Sequence, residues 1–403
     1  MKAFLLPTLS LITMGLAAQQ SKTMFAVTGS QPGDVNWTKV RKLSGEGQVL
    51  LDGFNRGKFV QAQSGEAVVP QLNARRPDEV IAPSGIAALA YDRKNNLLFF
   101  APMFRQEGIR YINLADKAEK PTVHVFANST NLIDRQKDGE GPNITRMTMG
   151  PGEVGYALSN DGYSFLRFSA GKKKFVENLG ALVDAESNGA RSVHNQCDSW
   201  GGDMVAAANG DLYLFTVRHQ VYKINPQTRV TTYLGKVAGI DASFTINGAA
   251  VDEKGQVLLA SSTQPKLLYV IADMNRLEAT PEKNDNWLNA SDLASSNLLF
   301  SNKPATNWDL PPVRTPGTDA VSVFPNPVDK GFFIVAFDNL PLGRYSIDLL
   351  NGAGSAALTQ NVQVREKGQT VRVNTASFAK GLYVMRIIDA DRKQVHTQKV
   401  ILQ

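Results

Sequence analysis

The chain has 403 residues, of which 20% are charged and 43% are hydrophobic, and its formal net charge is +6. This length exceeds a single ordinary core, and the composition excludes a disordered or collagen-like chain. The positive charge does not indicate nucleic-acid binding, because residues 321–403 carry +4 and Lys2 carries another +1. The remaining chain is nearly neutral and has no basic block that could follow a phosphate backbone.

Residues 1–18 predict a signal peptide that is removed on export. Lys2 provides a positive start, the apolar run AFLLPTLSLITMGL follows it, and two alanines offer a small-residue cleavage site before Gln19. The run is too short to span a membrane comfortably, and no other stretch approaches eighteen apolar residues. We therefore predict an exported chain without a transmembrane segment.

The sequence contains a single cysteine, Cys197, which excludes an internal disulfide. An exported protein without disulfides depends on its hydrophobic core for stability. We expect Cys197 to be a small buried apolar residue within that core.

Residues 19–300 predict an all-β body made of repeated units. Four segments share an apolar strand, a turn rich in Asn, Asp or Gly, and further apolar strands, and they begin at Gly85, Ile144, Gly201 and Ile246. Their turns are DRKNN, GPGE, AANGD and DEKGQ, which are residues that tolerate the positive φ of tight hairpins. A spacing of about 40–60 residues is typical of a β-propeller blade with four antiparallel strands.

A fifth unit is predicted to be split between the two ends of this body. ASDLASSNLLFS, from Ala290, has the pattern of a first strand and a second strand, whereas MFAVTGS and VNWTKVRKLSG near the N-terminus lack a preceding inner strand. Joining these segments would complete a blade and remove exposed sheet edges. Residues 44–84 could contain one more unit, so we predict a five- to six-bladed propeller-like domain. The competing folds are a pair of β-sandwiches and an open solenoid.

The segment RSVHNQCDSWGGDM, residues 191–204, is the densest group of chemically versatile side chains. It directly precedes a predicted inner strand, and such connections often carry ligand sites in this architecture. The candidate ligand-binding residues are Arg191, His194, Asp198, Trp200 and Asp203. A histidine near acids could act in proton transfer and a tryptophan could stack on a sugar, although a polar loop without a ligand has the same composition.

No spacing in the sequence indicates a metal or cofactor site. HxH, HExxH and paired Cys/His spacings are missing, and so are a GxSxG nucleophile motif and a glycine-rich loop for phosphate. We predict no catalytic residue from a motif, no cofactor and no metal.

Residues 301–320 predict an extended linker, because SNKPATNWDLPPVRTPGTDA carries four prolines and little periodic apolar content. Seven short strands with turn signals between them then follow in 321–403. This density of strands indicates a small immunoglobulin-like β-sandwich. Two prolines beside Asn326 place the end of the first strand at a sheet edge.

The C-terminal unit resembles the type A (Por) sorting domain of the type IX secretion system of Bacteroidetes. The landmarks are FPNP near the start, GRYSIDLLNGAG in the middle, FAKGLYVMRI later and QKVILQ at the end. The residues that match the family's pattern are Pro325, Asn326, Pro327, Gly343, Tyr345, Asn351, Gly354, Gly381, Tyr383 and Lys399. The resemblance covers 321–403, about a fifth of the chain.

This resemblance implies a route of export. The signal peptide would direct the chain across the inner membrane, and the outer-membrane translocon would recognise the folded C-terminal domain. A processing enzyme commonly removes such a domain, which leaves the body secreted or attached to the outer-membrane surface. A structural or carbohydrate-binding module is the alternative for 321–403.

The function of the body remains open between three hypotheses. The propeller could bind a glycan or a protein partner, which the lack of catalytic motifs favours. It could instead be an extracellular polysaccharide hydrolase or lyase with carboxylates from different blades, for which Asp92, Asp203 and Asp252 are the candidates. It could also be a structural or adhesion component of the cell surface.

Overall fold

A computed structural model describes most of the body and most of the C-terminal unit. The described residues are 23–43, 47–68, 79–104, 107–126, 129–133, 139–283, 289–301, 320–324, 326–328, 331–337, 340–352, 354–364 and 369–403. The predicted signal peptide, residues 302–319 of the predicted linker and Pro325 lie outside these ranges.

The predicted all-β body is confirmed for the described residues. In chain order its strands are β1 (Met24–Thr28), β2 (Lys39–Lys42), β3 (Val49–Asp52), β4 (Lys58–Gln61), β5 (Ile86–Asp92), β6 (Leu97–Pro102), β7 (Arg110–Asn113), β8 (Thr122–Val125), β9 (Ile144–Met149), β10 (Gly155–Ser159), β11 (Phe165–Ala170), β12 (Lys174–Gly180), β13 (Val183–Asp184), β14 (Asp203–Ala206), β15 (Leu212–Phe215), β16 (Gln220–Ile224), β17 (Val230–Lys236), β18 (Gly248–Val251), β19 (Val257–Ala260), β20 (Leu267–Ile271), β21 (Ala279–Lys283) and β22 (Ala290–Ser295). Short helices, α1 (Ser129–Leu132) and α2 (Gln196–Ser199), lie in the connections.

These strands form five separate sheets. The sheet orders are β22-β1-β2-β3, β4-β8-β7-β6-β5, β12-β11-β10-β9, β13-β17-β16-β15-β14 and β18-β19-β20-β21. Each sheet contains four antiparallel strands, and β4 and β13 add a parallel outer strand to two of them. The first strand of each antiparallel set is β5, β9, β14, β18 or β22, and we call these the inner strands.

Hairpin turns separate the strands at the places where the sequence predicts them. The DRKNN turn joins β5 to β6, and the carboxylate of Asp92 accepts hydrogen bonds from the backbone N–H groups of Lys94 (3.0 Å) and Asn95 (3.2 Å). Asp252 makes the same kind of turn after β18, where it accepts from Lys254 and Gln256 (both 2.8 Å). The local sequence therefore defines the hairpins through side chains that replace backbone partners.

The two ends of the body pair in one sheet. Strand β22 runs antiparallel to β1, with Phe25 opposite Ala294 and Ala26 opposite Leu293. The N-terminal strands β2 and β3 extend this sheet outward. The sequence pattern that predicted a split unit therefore corresponds to one sheet built from both ends of the body.

The inner strands contact one another in a cyclic order. Strand β5 contacts β9, β9 contacts β14, β14 contacts β18, β18 contacts β22, and β22 contacts β5. At one of these contacts the backbones approach closely, since a Cβ on Gly248 would lie 2.9 Å from the backbone nitrogen of Leu293. A residue larger than glycine would force β18 and β22 apart.

The hydrophobic core of the body lies between consecutive sheets. Separate clusters of buried apolar side chains join each sheet to its neighbours along the same cyclic order. Phe99 on β6 and Phe168 on β11, for example, pack with ring centroids 4.9 Å apart. The apolar faces of the strands therefore stabilise contacts between sheets.

The C-terminal unit contains the seven predicted strands. They are β23 (Ser322–Phe324), β24 (Phe332–Phe337), β25 (Gly343–Leu350), β26 (Ala356–Val364), β27 (Gln369–Asn374), β28 (Gly381–Asp389) and β29 (Gln394–Leu402). They form two sheets, with orders β23-β24-β27 and β26-β25-β28-β29, and one cluster of buried side chains joins the two.

Candidate functional site

The segment 191–204 leads directly into β14, as the sequence predicts, and its last two residues are the first two of that strand. Helix α2 forms its centre, and the side chain of Asn195 caps this helix by accepting a hydrogen bond from the N–H of Cys197 (2.9 Å). Gly202 has a φ of +87°, and a Cβ there would lie 1.9 Å from the carbonyl oxygen of Phe215. The segment therefore requires glycine where it enters β14.

Arg191 and Asp198 form an ion pair within this segment. The Nη1 of Arg191 lies 2.6 Å from the Oδ1 of Asp198, and this hydrogen bond raises the pKa of Arg191. Asp198 is buried, whereas about half of the Arg191 side chain is exposed. Arg191 therefore faces solvent, and the carboxylate of Asp198 holds it in place.

The ring of His194 is held by backbone groups. Its Nδ1 lies 2.8 Å from the carbonyl oxygen of Asp161, and its Nε2 lies 3.0 Å from that of Leu182. The ring stacks on Tyr163 with centroids 4.4 Å apart, and 37% of the Tyr163 residue is exposed. His194 therefore supports a partly exposed aromatic ring that the sequence analysis did not identify.

Trp200 lies beside this stack and is partly buried. A Cβ on Gly141 would lie 3.3 Å from its Cζ2, so the loop before β9 packs on the indole ring. The Asn160 side chain accepts a hydrogen bond from the N–H of Gly201 (3.0 Å). The buried Nε1 of Trp200 has no hydrogen-bond partner among the residues that the structure describes.

Asp203 is fully buried at the start of β14 and faces other inner strands. Its Oδ1 accepts from its neighbour Met204 (2.7 Å), and its Oδ2 accepts from the N–H groups of Ala249 on β18 (2.7 Å) and Leu293 on β22 (3.3 Å). The carboxylate of Asp203 therefore links three inner strands.

A second buried carboxyl, Asp292 on β22, faces Asp203. Its Oδ1 accepts a hydrogen bond from the N–H of Leu89 on β5 (2.9 Å), and its side chain contacts the side chain of Asp203. The Oδ2 of Asp292 has no donor in the part of the chain that is described. Two ionised carboxylates in contact would repel each other strongly in this buried position, so the contact requires a shared proton.

A buried arginine, Arg146 on β9, interacts electrostatically with Asp203 of the carboxyl pair. Its guanidinium is fully buried and donates to backbone carbonyl oxygens, which belong to Ser159, Asn160, Ser199 and Gly201. Burial lowers the pKa of Arg146 to about 10, and the charges of Asp161 and Asp203 oppose this shift. Arg146 remains positive at neutral pH, links β9 to the segment before β14, and helps to balance a negative charge on the carboxyl pair.

The axis between the inner strands has little free space. A small cavity there is lined by side chains such as Ala90, Met147, Val205 and Ala250, and it offers about 10 Å³ for water, room for roughly one molecule. Asp92 ends β5 and Asp252 follows β18, whereas Asp203 begins β14. These three candidate carboxylates therefore do not converge on one site.

The carboxyl pair predicts a pH-dependent stability. Burial raises the pKa of both Asp203 and Asp292 above the ordinary value, and the nearby charge of Asp203 adds to the rise in the pKa of Asp292. Unfolded aspartates ionise near pH 4. The folded state thus retains a proton that the unfolded state releases, and the free energy of unfolding falls as the pH rises above about 4.

Asp292→Asn is expected to flatten this pH dependence. The asparagine keeps an oxygen for Leu89 and supplies an N–H to Asp203, so no shared proton is needed. Urea unfolding at pH 5, 6, 7 and 8 should show a slope reduced by up to about 1.4 kcal/mol per pH unit. The control is Asp273→Asn, whose exposed carboxylate accepts from Asn275 in a turn. An unchanged slope in Asp292→Asn would contradict the shared proton.

The two Gly–x–Tyr motifs of the C-terminal unit begin strands β25 and β28. The hydroxyl of Tyr345 donates to the carbonyl oxygen of Pro341 (2.8 Å), and that of Tyr383 donates to Ala379 (3.0 Å), so both Gly–x–Tyr motifs make the same contact four residues back. Asn351 accepts from the N–H of Ser355 (3.1 Å) in the turn that contains Gly354.

Among the residues that the structure describes, no group of three or more His, Cys, Asp or Glu side chains is placed to hold a metal ion. Within the same ranges, no helix has the length and apolar character needed to cross a membrane.

Residues 322–403 match the family described as a secretion system C-terminal sorting domain. This domain marks proteins that are secreted or attached to the cell surface by type IX secretion, and it implies an interaction with that machinery. The chain is therefore secreted or located at the cell surface. No curated protein matches the sequence.

Several solved structures are similar to the chain at low identity. A nidogen/laminin complex is 12% identical over 69% of this chain and 98% of that chain, with a TM-score of 0.35. PorZ, a surface component of the type IX secretion system of Porphyromonas gingivalis, is 13% identical over 78% of this chain and 51% of its own, with a TM-score of 0.26. A protein of unknown function from Bacteroides thetaiotaomicron is 14% identical over 69% and 72%, with a TM-score of 0.39. At these TM-scores and sequence identities, the similarities do not support an inference about function.

Proposed function

We propose that the body is a five-bladed β-propeller that binds a glycan after export to the cell surface or the medium. Five four-stranded antiparallel sets, their cyclic contacts and the pairing of β22 with β1 support this architecture. The proposal keeps the divisions expected from the sequence: a signal peptide at 1–18, the propeller at 19–300, a linker at 301–320 and the sorting domain at 321–403.

The proposed binding face is formed by the connections that precede β9 and β14 together with the turn between β10 and β11. The loop before β9 contacts the segment before β14 through Gly141 and Trp200, and the turn between β10 and β11 contacts it through Tyr163 and His194. These contacts join parts of two adjacent sheets in one surface. Loops on one face of a rigid scaffold are common positions for ligand recognition.

The ring of Tyr163 is the main support for the proposal of glycan binding. This ring is partly exposed and lies on His194, which backbone carbonyl groups hold in place. A ring fixed in this way loses little conformational entropy when a sugar stacks on it, and its hydroxyl adds a polar group for sugar hydroxyls. Arg191 and Trp200 lie in segment 191–204 together with His194 and would provide further polar and aromatic contacts. Asp198 and Asp203 are buried and would support this surface from below.

Tyr163→Ala is expected to reduce retention on a bound polysaccharide at least tenfold, which corresponds to about 1.4 kcal/mol. The assay incubates the purified full chain with a panel of bacterial and plant polysaccharides and measures the bound fraction. Leu234→Ala is the matched control. Leu234 lies on β17, and 38% of the residue is exposed, compared with 37% of Tyr163.

Retention that is unchanged in Tyr163→Ala would place the ligand site elsewhere. An equal loss in Leu234→Ala would show that adsorption is not specific. If the wild type bound no polysaccharide, glycan binding would be excluded for that panel and a protein partner would be the next hypothesis.

The enzyme hypothesis gains no support from the carboxyl pair. Glycoside hydrolysis requires carboxyl groups that reach the substrate. Asp203 and Asp292 are fully buried, and their oxygens accept hydrogen bonds from the backbone of neighbouring strands. Their geometry favours a structural role at the axis of the propeller.

A further inference from the structure

The side chain of Asn326 bonds to the backbone of the last strand, 73 and 75 residues further along the chain. Its Nδ2 donates to the carbonyl oxygen of Lys399 (2.7 Å), and its Oδ1 accepts from the N–H of Ile401 (3.0 Å). A neighbouring β-strand would use its own backbone to make this pair of hydrogen bonds. One amide side chain thus substitutes for a strand at the edge of β29.

Val328 continues the same edge contact. Its N–H donates to the carbonyl oxygen of Ile401 (2.7 Å), and its carbonyl oxygen accepts from the N–H of Gln403 (2.8 Å). The side chain of Val328 is buried with the core of the unit. Residues 326–328 therefore cover the outer edge of β29 at its C-terminal end, where the strand would otherwise be unpaired.

Pairing with β28 and the contact with residues 326–328 together fix which side chains β29 presents to solvent. Val400 and Leu402 are buried, whereas Lys399 and Ile401 point outward on the other face of the strand. Ile401 lies opposite Leu382 on β28, and 43% of Ile401 and 52% of Leu382 are exposed. We call Leu382, Lys399 and Ile401 the terminal face. A slip of β29 by one residue would exchange its inward and outward side chains.

We propose that Asn326 is a positioning residue for export, which holds β29 in register so that the terminal face docks on the type IX secretion machinery. The occupant of this face follows from the sorting domain, which implies an interaction with that machinery. Two exposed aliphatic side chains beside a lysine form an apolar surface with one positive charge. The partner surface is therefore expected to be apolar with an acidic rim.

The two hydrogen bonds from the Asn326 side chain to Lys399 and Ile401, which we call the clamp, require an asparagine. Its carboxamide provides one donor and one acceptor, which match the carbonyl oxygen of Lys399 and the N–H of Ile401. Asn326→Asp keeps the acceptor but loses the donor to Lys399, and Asn326→Ala loses both. Export should therefore decrease from the wild type to Asn326→Asp and further to Asn326→Ala.

The test expresses full-length variants in a host with a type IX secretion system and measures the exported fraction. We expect Asn326→Ala to lower this fraction at least tenfold and to accelerate amide hydrogen exchange in residues 399–403 of the purified protein. The matched control is Thr359→Ala, which removes a hydrogen bond of 2.9 Å from Thr359 to Asp348 in the same sheet. This control should be exported like the wild type.

Normal export of Asn326→Ala, or an equal loss of export in Thr359→Ala, would overturn the proposal, because the residue would then contribute only to general stability. A second variant keeps the test valid if Asn326→Ala does not fold. Ile401→Ser changes the terminal face and leaves the backbone clamp in place, so it should lower export with unchanged hydrogen exchange. Normal export of Ile401→Ser would also contradict the proposal.

Discussion

Asp203→Ala is expected to lower the free energy of unfolding of the body by about 3–5 kcal/mol. The substitution leaves buried N–H groups of Met204, Ala249 and Leu293 without their acceptor. Each such group costs about 1–3 kcal/mol when water cannot reach it, and the loss of a desolvated carboxyl offsets part of the sum. The effect is large because one side chain connects three inner strands.

Tryptophan fluorescence during urea unfolding measures this effect in the full chain. Three of the four tryptophans, at positions 37, 200 and 287, belong to the body, and Trp308 belongs to the predicted linker, so no tryptophan signal comes from the sorting domain. The control is Asp252→Ala, which also removes an acceptor for two backbone N–H groups but does so in a hairpin turn, where water can replace the carboxylate. The control is expected to cost about 1 kcal/mol. Equal effects of the two substitutions would contradict the linking role of Asp203.

The sequence was sufficient to predict most strands and hairpins of the body, although it left residues 44–84, which contain β3 and β4, without an assignment. Turn residues such as Asp92 and Asp252 act on backbone groups two to four residues away, so their effect is visible in a short window of sequence. The strand pattern from Ala290 and the orphan strands near Met24 also predicted that the ends of the body pair. Periodicity and local turn chemistry carry this information.

The buried group at the axis could not be predicted in the same way. The side chain of Asp292 accepts a hydrogen bond from Leu89 across 203 residues, and the neighbouring sequence does not identify this partner. Arginine side chains are usually exposed, so the sequence does not indicate that Arg146 is buried in β9. Its acceptors are backbone carbonyl groups, which any residue type provides. One available signal was an aspartate in the middle of an apolar inner strand, since such a position requires a buried partner.

The candidate residues in 191–204 were correctly placed before an inner strand, but their surroundings differ from the expectation. His194 supports Tyr163 through its stacked ring, and Asp203 faces the axis. Cys197 is exposed, so the expectation of a buried cysteine was wrong. It lies in the short helix α2, whose buried residues are Asp198 and Ser199. A four-residue helix is too short to show periodicity in the sequence.

Deletion of residues 321–403 is expected to abolish delivery to the surface and the medium. The sorting domain marks proteins for type IX secretion, and its buried core is separate from the clusters of the body. The deletion should therefore leave the body folded, with unchanged tryptophan fluorescence, while it removes the part that the export machinery recognises. The signal peptide predicted at 1–18 remains, so the truncated chain should accumulate in the periplasm.

The most direct test of the account is the distribution of this truncated chain between periplasm, cell surface and medium, compared with the full-length chain in the same host. We predict that at least nine tenths of the truncated chain remains in the periplasm in a folded, protease-resistant form, on the order of a tenfold loss of export. The full-length chain should reach the surface or the medium. A truncated chain that reached either location at the level of the full-length chain would contradict the role of 321–403 as the export signal.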